Sequence, residues 1–180
     1  LKSARIASSV MTEIPGWLGF GSSLTNVVID MPNMTKIGFK SFTECSSMSS
    51  DVARIVRPGV TNISGEAFGS CSKLYGALTL TNLQSLGYWA FKATALRSVD
   101  ITAPSMSTID AANGCVTFGN NSMLTNVSLT APKLANLPAM FGSCSGLKLV
   151  QLNTPALTNI ASGAFSGCGA NLSLLIGATQ

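Results

Sequence analysis

The sequence predicts a strand-rich solenoid of about seven stacked coils, each of ~24 residues, with a parallel β-sheet along one side and short helical turns opposite. Three observations predict it. Phe20, Phe42, Phe68, Phe91, Phe118, Phe141 and Phe165 recur at gaps of 22, 26, 23, 27, 23 and 24 residues, a period sustained from end to end. Between them lie alternating apolar pairs: Val27 and Ile29, Leu78 and Leu80, Val99 and Ile101, Val127 and Leu129, Val150 and Leu152. Alternation at period two with β-branched residues reads as a strand that buries one face. Finally, Pro32, Pro58, Pro104, Pro132 and Pro155 stand just beyond such pairs, where a residue without an amide donor closes a strand and opens a corner.

Each element of the coil has its own signal. After the Pro comes a second apolar pair at i, i+3, as in Met34 and Ile37, Val60 and Ile63, Leu83 and Leu86, Met106 and Ile109, Leu134 and Leu137, Leu157 and Ile160. Gly, Ala and Ser then lead to the next Phe, and the residue three beyond it is small and polar: Cys45, Cys71, Thr94, Asn121, Cys144 and Cys168. An apolar residue such as Leu74, Leu96, Leu124 or Leu147 closes the unit. One coil is therefore strand, Pro corner, second extended segment and short helical turn. With roughly five inward apolar side chains it cannot bury a core alone, but stacked coils share one. The handedness expected is right.

The irregular coils are informative too. The unit of Leu83 lacks the Pro and two corner residues, and the unit of Phe118 carries about four extra residues around Asp110–Gly114, expected as an outward loop. Ile6, Met11 and Ile14 fit the register, so the first strand starts near Ala4, and Leu172 and Leu175 open an eighth strand. Neither end shows a polar cap, and the chain starts at Leu1. Residues 1–180 are accordingly expected to be a single repeat domain cut from a longer exported protein.

Composition narrows the chemistry. Only 10% of residues are charged, and Ser, Thr, Asn and Gly supply the polar surface, a pattern commoner in exported proteins. No apolar run reaches the ~18 residues of a membrane-spanning helix. The net charge of +4 comes from scattered cations, among them Arg5, Lys36, Lys92, Lys133 and Lys148, with only Arg54 and Arg57 close together, so nucleic acid is not an expected partner. With no histidine, the Ser/His and Cys/His pairings of nucleophilic catalysis are excluded. The carboxylates Glu13, Asp30, Glu44, Asp51, Glu66, Asp100 and Asp110 fall in varied slots, whereas a glycosidase needs its pair within ~10 Å. No phosphate loop is present, and no catalytic residue, cofactor or metal is expected. The four slot cysteines would lie on neighbouring coils about 4.8 Å apart. Their parallel side chains keep the Cβ atoms beyond the usual ~4.5 Å of a disulfide, so free thiols bonded to backbone carbonyls are expected. Cys115, in the inserted loop, should be the most accessible thiol, with Cys168 next. The triplets beginning at Asn33, Asn62, Asn120, Asn126 and Asn171 match a glycan acceptor pattern, but the repeat itself generates such strings.

The string Ile63-Ser-Gly-Glu-Ala-Phe68-Gly-Ser-Cys71-Ser-Lys-Leu74 resembles the BspA-type leucine-rich repeat, as does Phe141-Gly-Ser-Cys144-Ser-Gly-Leu147-Lys-Leu-Val150-Gln-Leu152. The resemblance covers essentially the whole chain; Thr94 and Asn121, which stand where the repeat has Cys, depart from it. It implies a leucine-rich-repeat solenoid (α/β, strand-rich) and a non-enzymatic, extracellular protein-interaction or adhesion module of a bacterial cell-surface or secreted protein. The partners implied are host or cell-surface proteins. Two alternatives stand beside it: a passive spacer, and a carbohydrate-binding module of an exported multidomain protein, with glycans as partners.

Candidate binding residues follow from the geometry of a sheet. On each strand the residue between two inward ones points out, which selects Val28, Arg54, Thr79, Asp100, Ser128 and Gln151, flanked by Asp30, Thr102, Thr130 and Asn153. Tyr88 and Trp89, an aromatic pair outside the repeat slots, are a possible contact for a partner or a sugar ring.

Overall fold

The computed structural model describes residues 2–21, 23–114 and 116–177. Along the first half of the chain run β1 (Ser3–Ala7), β2 (Glu13–Ile14), β3 (Asn26–Asp30), β4 (Lys36–Ile37), β5 (Asn62–Ile63), β6 (Tyr75–Leu80) and β7 (Ser85–Leu86). Then follow β8 (Ala95–Thr102), β9 (Asn126–Thr130), β10 (Asn136–Leu137), β11 (Leu149–Asn153), β12 (Asn159–Ile160) and β13 (Ser173–Ile176). They make a two-sided parallel solenoid of about seven coils. The longer strands form one side, as a β1–β3 pair and a five-stranded sheet in the order β6-β8-β9-β11-β13. The two-residue strands form the other, as β2-β4-β5-β7 and β10-β12.

Stacking a repeat in register places each side chain on its own counterpart. Val99 pairs with Val127 and Val127 with Val150, while Ile101 pairs with Leu129 and Leu129 with Leu152. All six are buried, as the alternation of the sequence requires. On the other side Ile14, Ile37, Ile63 and Leu86 make an equivalent column.

The deepest column is aromatic. Phe42, Phe68, Phe91, Phe118, Phe141 and Phe165 stack with centroids 5.4, 5.2, 5.6, 5.7 and 5.7 Å apart and planes within 15°. The backbone amide of each Phe donates to the next coil one residue ahead of the following Phe: Phe42 N to Ala67 O, Phe68 N to Ala90 O, Phe141 N to Ala164 O. By that pattern Phe20 is out of step. Gly19 N donates to Ser41 O, so Gly19 occupies the slot and Phe20, one residue further, is 42% exposed. Six residues separate Ile14 from Phe20 where Ile37 and Phe42 are separated by five, and the backbone register decides which one enters the core.

Two features differ from the sequence expectation. The segments beside the Phe column are turns rather than helical turns. They hold residues with positive φ two before and two after the Phe, such as Glu66 (φ 55°) and Ser70 (φ 61°) around Phe68. A left-handed residue within so short a segment prevents helix from propagating. Among the described residues the 3₁₀ helices are Val52–Arg54 and Ala112–Gly114. The first takes the place of a strand in the third coil. Asp51 caps it, its carboxylate accepting from Ala53 N at 3.0 Å, and only an isolated bridge from Asp51 to Tyr75 continues the sheet. Arg54 therefore lies on a helical turn and not on a strand, which corrects its expected place. The second 3₁₀ helix lies in the inserted loop, where the fifth coil contributes no strand to the second side.

The Phe column should carry much of the stability. Phe91→Ala, in mid-column, is expected to destabilise by ~3–5 kcal/mol through lost burial and the cavity left behind. Phe20→Ala, outside the column, should cost under ~1 kcal/mol. Urea unfolding of the two variants measures the contrast, and equal effects would show that the column is not the anchor.

Candidate functional site

The outward residues of the five-stranded sheet stand in two parallel rows. Thr79 pairs with Asp100, Asp100 with Ser128 and Ser128 with Gln151. The second row runs Thr102, Thr130, Asn153 in the same registers. Thr79, Asp100 and Gln151 are exposed and the others half-buried. At one end Ser128, Thr130, Gln151 and Asn153 line a groove of about 280 Å³ with Leu175 and Ile176. The face is thus a strip of hydroxyls and amides with one carboxylate. In β8, Arg97 is bulged out between Gly76–Leu96 and Ala77–Ser98, which restores the register of the rows beyond it.

Val28 and Asp30 lie apart from these rows, on β3, with the third coil between. Asp30 pairs with Arg5 at 3.6 Å, both well exposed. Where the third coil lacks a strand, Val28 and Asn26 face Ala53, Arg54 and Arg57 across a notch of about 390 Å³. Arg57 has a structural task there. Its Nη2 donates to Ile29 O at 3.0 Å, serving a β3 carbonyl on the side where a strand would otherwise pair. Arg54 is exposed.

Tyr88 and Trp89 sit on the other side of the solenoid and belong to a larger group that sequence reasoning missed. Trp17 packs edge-on against Phe20 and Phe39, at 5.0 and 5.8 Å between centroids; Phe39 meets Tyr88 at 6.5 Å and Tyr88 meets Trp89 at 5.9 Å. Lys40 Nζ lies 5.0 Å from the Trp17 ring and 5.3 Å from Phe39, and 3.5 Å from the Glu66 carboxylate. Lys92 Nζ stands 4.1 Å over Trp89, whose Nε1 is buried without a hydrogen-bond partner. One signal could have revealed the group. Gly16, Phe39, Gly65 and Tyr88 each follow the buried second-side residue by two positions, so ring and glycine alternate in one column. A Cβ on Gly65 would come within 3.0 Å of the Tyr88 ring, which shows how closely that ring lies on the backbone below.

The slot thiols bond as the spacing suggests. Cys45 Sγ donates to Gly19 O at 2.8 Å, Cys71 to Phe42 O at 2.9 Å, Cys144 to Phe118 O at 3.0 Å and Cys168 to Phe141 O at 3.1 Å, and among the described residues none of the four forms a disulfide. In the two coils without Cys, Thr94 Oγ1 donates to Asn121 Oδ1 at 2.6 Å, while Asn121 Nδ2 donates to Phe91 O and Phe118 O. The slot thus serves carbonyls at the Phe turns. Burial pushes the Cys144 thiol up from 9.0 to about 12, and burial also raises Cys168. The hydrogen-bonded Cys45 thiol and burial together raise Cys71. Cys115 lies outside the described residues. Among the described residues no three His, Cys, Asp or Glu side chains gather in a metal-holding group, and no helix is long and apolar enough to cross a membrane.

A two-sided parallel solenoid with an aromatic column at one turn and a polar strip on its longer sheet is a leucine-rich-repeat protein. The model of the BspA type leucine-rich repeat region matches residues 1–74 and 35–173 in 6 copies, and the chain belongs to that family. Among solved structures, the leucine-rich repeat protein of T. pallidum is 22% identical with a TM-score of 0.69, covering 95% of this chain and 78% of that one. A leucine-rich cell surface protein from Faecalibacterium prausnitzii is 17% identical with a TM-score of 0.46, covering 100% of this chain and 80% of that one. No curated protein matches the chain.

Three predictions follow from this geometry. Arg57→Ala should destabilise by ~1–3 kcal/mol by leaving the Ile29 carbonyl unserved, whereas Arg54→Ala should stay within ~0.5 kcal/mol; thermal melts compare them. For Cys144 the unfolded thiol ionises near its ordinary value while the folded one stays protonated. Its stabilising contribution is therefore intact below about pH 9 and is lost as pH rises toward about 12. Urea titrations across that window should give Cys144→Ser a shallower loss of stability than the parent. Thiol labelling of the native protein should reach Cys168 before Cys71 or Cys144.

Proposed function

We propose that this chain is a non-enzymatic adhesion module of a bacterial cell-surface or secreted protein, which binds proteins of a host or of another cell through its five-stranded sheet. One observation carries the reading: the in-register rows Thr79–Asp100–Ser128–Gln151 and Thr102–Thr130–Asn153. Repetition turns single side chains into a strip several coils long, a surface that suits a broad partner better than a small substrate. The strip is rich in adaptable hydrogen-bonding groups and poor in charge, so contact with it buries a single carboxylate, Asp100, at most. Family membership supports the interaction role, since the BspA-type repeat implies surface-exposed or secreted proteins. Several reactive side chains have structural tasks: the buried thiols serve backbone carbonyls, Asp51 caps a turn, and Glu66 pairs with Lys40.

The test is a binding screen of the immobilised chain against purified extracellular-matrix and plasma proteins, followed by surface plasmon resonance. The combined change Asp100→Ala, Ser128→Ala and Gln151→Ala should weaken a protein partner roughly tenfold or more, equivalent to ~1.4 kcal/mol, with the melting temperature little changed. Undiminished binding by that variant would place the interface elsewhere.

A further inference from the structure

The second side of the solenoid carries a groove of about 450 Å³ on the face away from the polar strip. Phe39 and Tyr88 supply its aromatic surface, with centroids 6.5 Å apart and planes at 57°. Beneath them Gly65 and Gly87 let two coils approach closely, a Cβ on Gly87 falling 2.2 Å from Gly65 N, and Gln84, Ser85, Thr108 and Asp110 provide the polar groups. Among the described residues no Lys or Arg lines it; Lys40, beside Phe39, is engaged by Glu66.

Three irregularities of the repeat converge there. Rings alternate with glycines in the column Gly16, Phe39, Gly65, Tyr88, so the Tyr88 ring lies against the bare backbone of Gly65. The fifth coil contributes no strand beyond β7, which leaves the sheet ending at Ser85–Leu86. The inserted residues supply the wall in its place: Asp110 N donates to Leu86 O at 3.3 Å, and its Oδ1 accepts from Ala112 N at 2.9 Å. That turn fixes the carboxylate at the rim of the groove. Asn62 Nδ2, donating to Ser85 Oγ at 2.9 Å, orients the hydroxyl on the same side.

We infer that this groove is a binding site for a neutral sugar ring within an oligosaccharide. A pyranose has apolar C–H faces and an equator of hydroxyls, each a donor and an acceptor. The site offers the matching halves: ring faces of Phe39 and Tyr88 for the C–H groups, and amide, hydroxyl and carboxylate groups at its rim for the hydroxyls. An anionic ligand would meet Asp110 with no lining cation. A peptide anchor would find a shallow trough, half polar, without the enclosed apolar pocket that seats such residues. The site is separate from the sheet-face strip and stands or falls independently of it.

The folded chain is titrated with cellohexaose, xylohexaose, maltohexaose and N-acetylchitohexaose, following tryptophan fluorescence, since Trp89 lies 5.9 Å from Tyr88. At least one should bind, with amide NMR shifts centred on Gly65, Gly87 and Asp110. Tyr88→Ala and Asp110→Asn should each weaken it roughly tenfold, while Tyr88→Phe retains it. Asp110→Asn, a surface change, keeps the test alive if Tyr88→Ala does not fold. The triple sheet-face variant should bind the sugar like the parent. Absence of binding by all four, shifts mapping to the sheet face, binding that survives both changes, or capture of a peptide in the groove would each overturn the assignment.

Discussion

The rise of one coil onto the next, about 4.8 Å, is the constraint on which everything else depends. It is imposed by parallel backbone pairing, and the side chains must then stack at nearly that distance. Flat rings can meet it: the six Phe rings are 5.2 to 5.7 Å apart between centroids, tilted by no more than 15°. The same spacing explains the small polar slot beside it. A thiol, hydroxyl or amide reaches back to the turn carbonyl of an adjacent coil, where a longer side chain would find no room.

That constraint is also why so much of the fold was legible in the sequence. Identical environments demand similar residues, so Val99, Val127 and Val150 announce a shared column as clearly as they announce a strand. What remained hidden is what the spacing does not repeat. Phe20 matched the period to within two residues, but backbone hydrogen bonds count single residues and seat Gly19 instead. Arg54 sat at a strand position by alignment, yet Asp51 capped a 3₁₀ turn there, a local competition between side chain and sheet that periodicity does not register.

The candidate sites divide along the same line. The polar rows on the longer sheet were legible, because outward positions follow from inward ones. Val28 and Asp30 were chosen by the same rule and yet fall in a different patch, because the third coil breaks the sheet between them. The aromatic group was only half visible. Tyr88 and Trp89 stood out as neighbours in sequence, whereas Trp17 and Phe39 join them only through stacking, three and two coils away.

In a repeat this regular, departures from the pattern carry the individuality of the molecule. Each of them here is confined to a face. The loss of a strand in the third coil opens the notch beside Arg54 on the longer sheet. The insertion after Ile109 opens the groove beside Tyr88 on the shorter one. Neither disturbs the Phe column, which runs unbroken through both coils, at 5.4 Å from Phe42 to Phe68 and 5.6 Å from Phe91 to Phe118. Since the core tolerates few answers at each slot and the faces tolerate many, variation can alter what the surface meets without altering how the coils stack. A solenoid thereby separates the residues that make it fold from the residues available to bind, and the second set lies on its faces, both where outward positions repeat and where the repeat is interrupted.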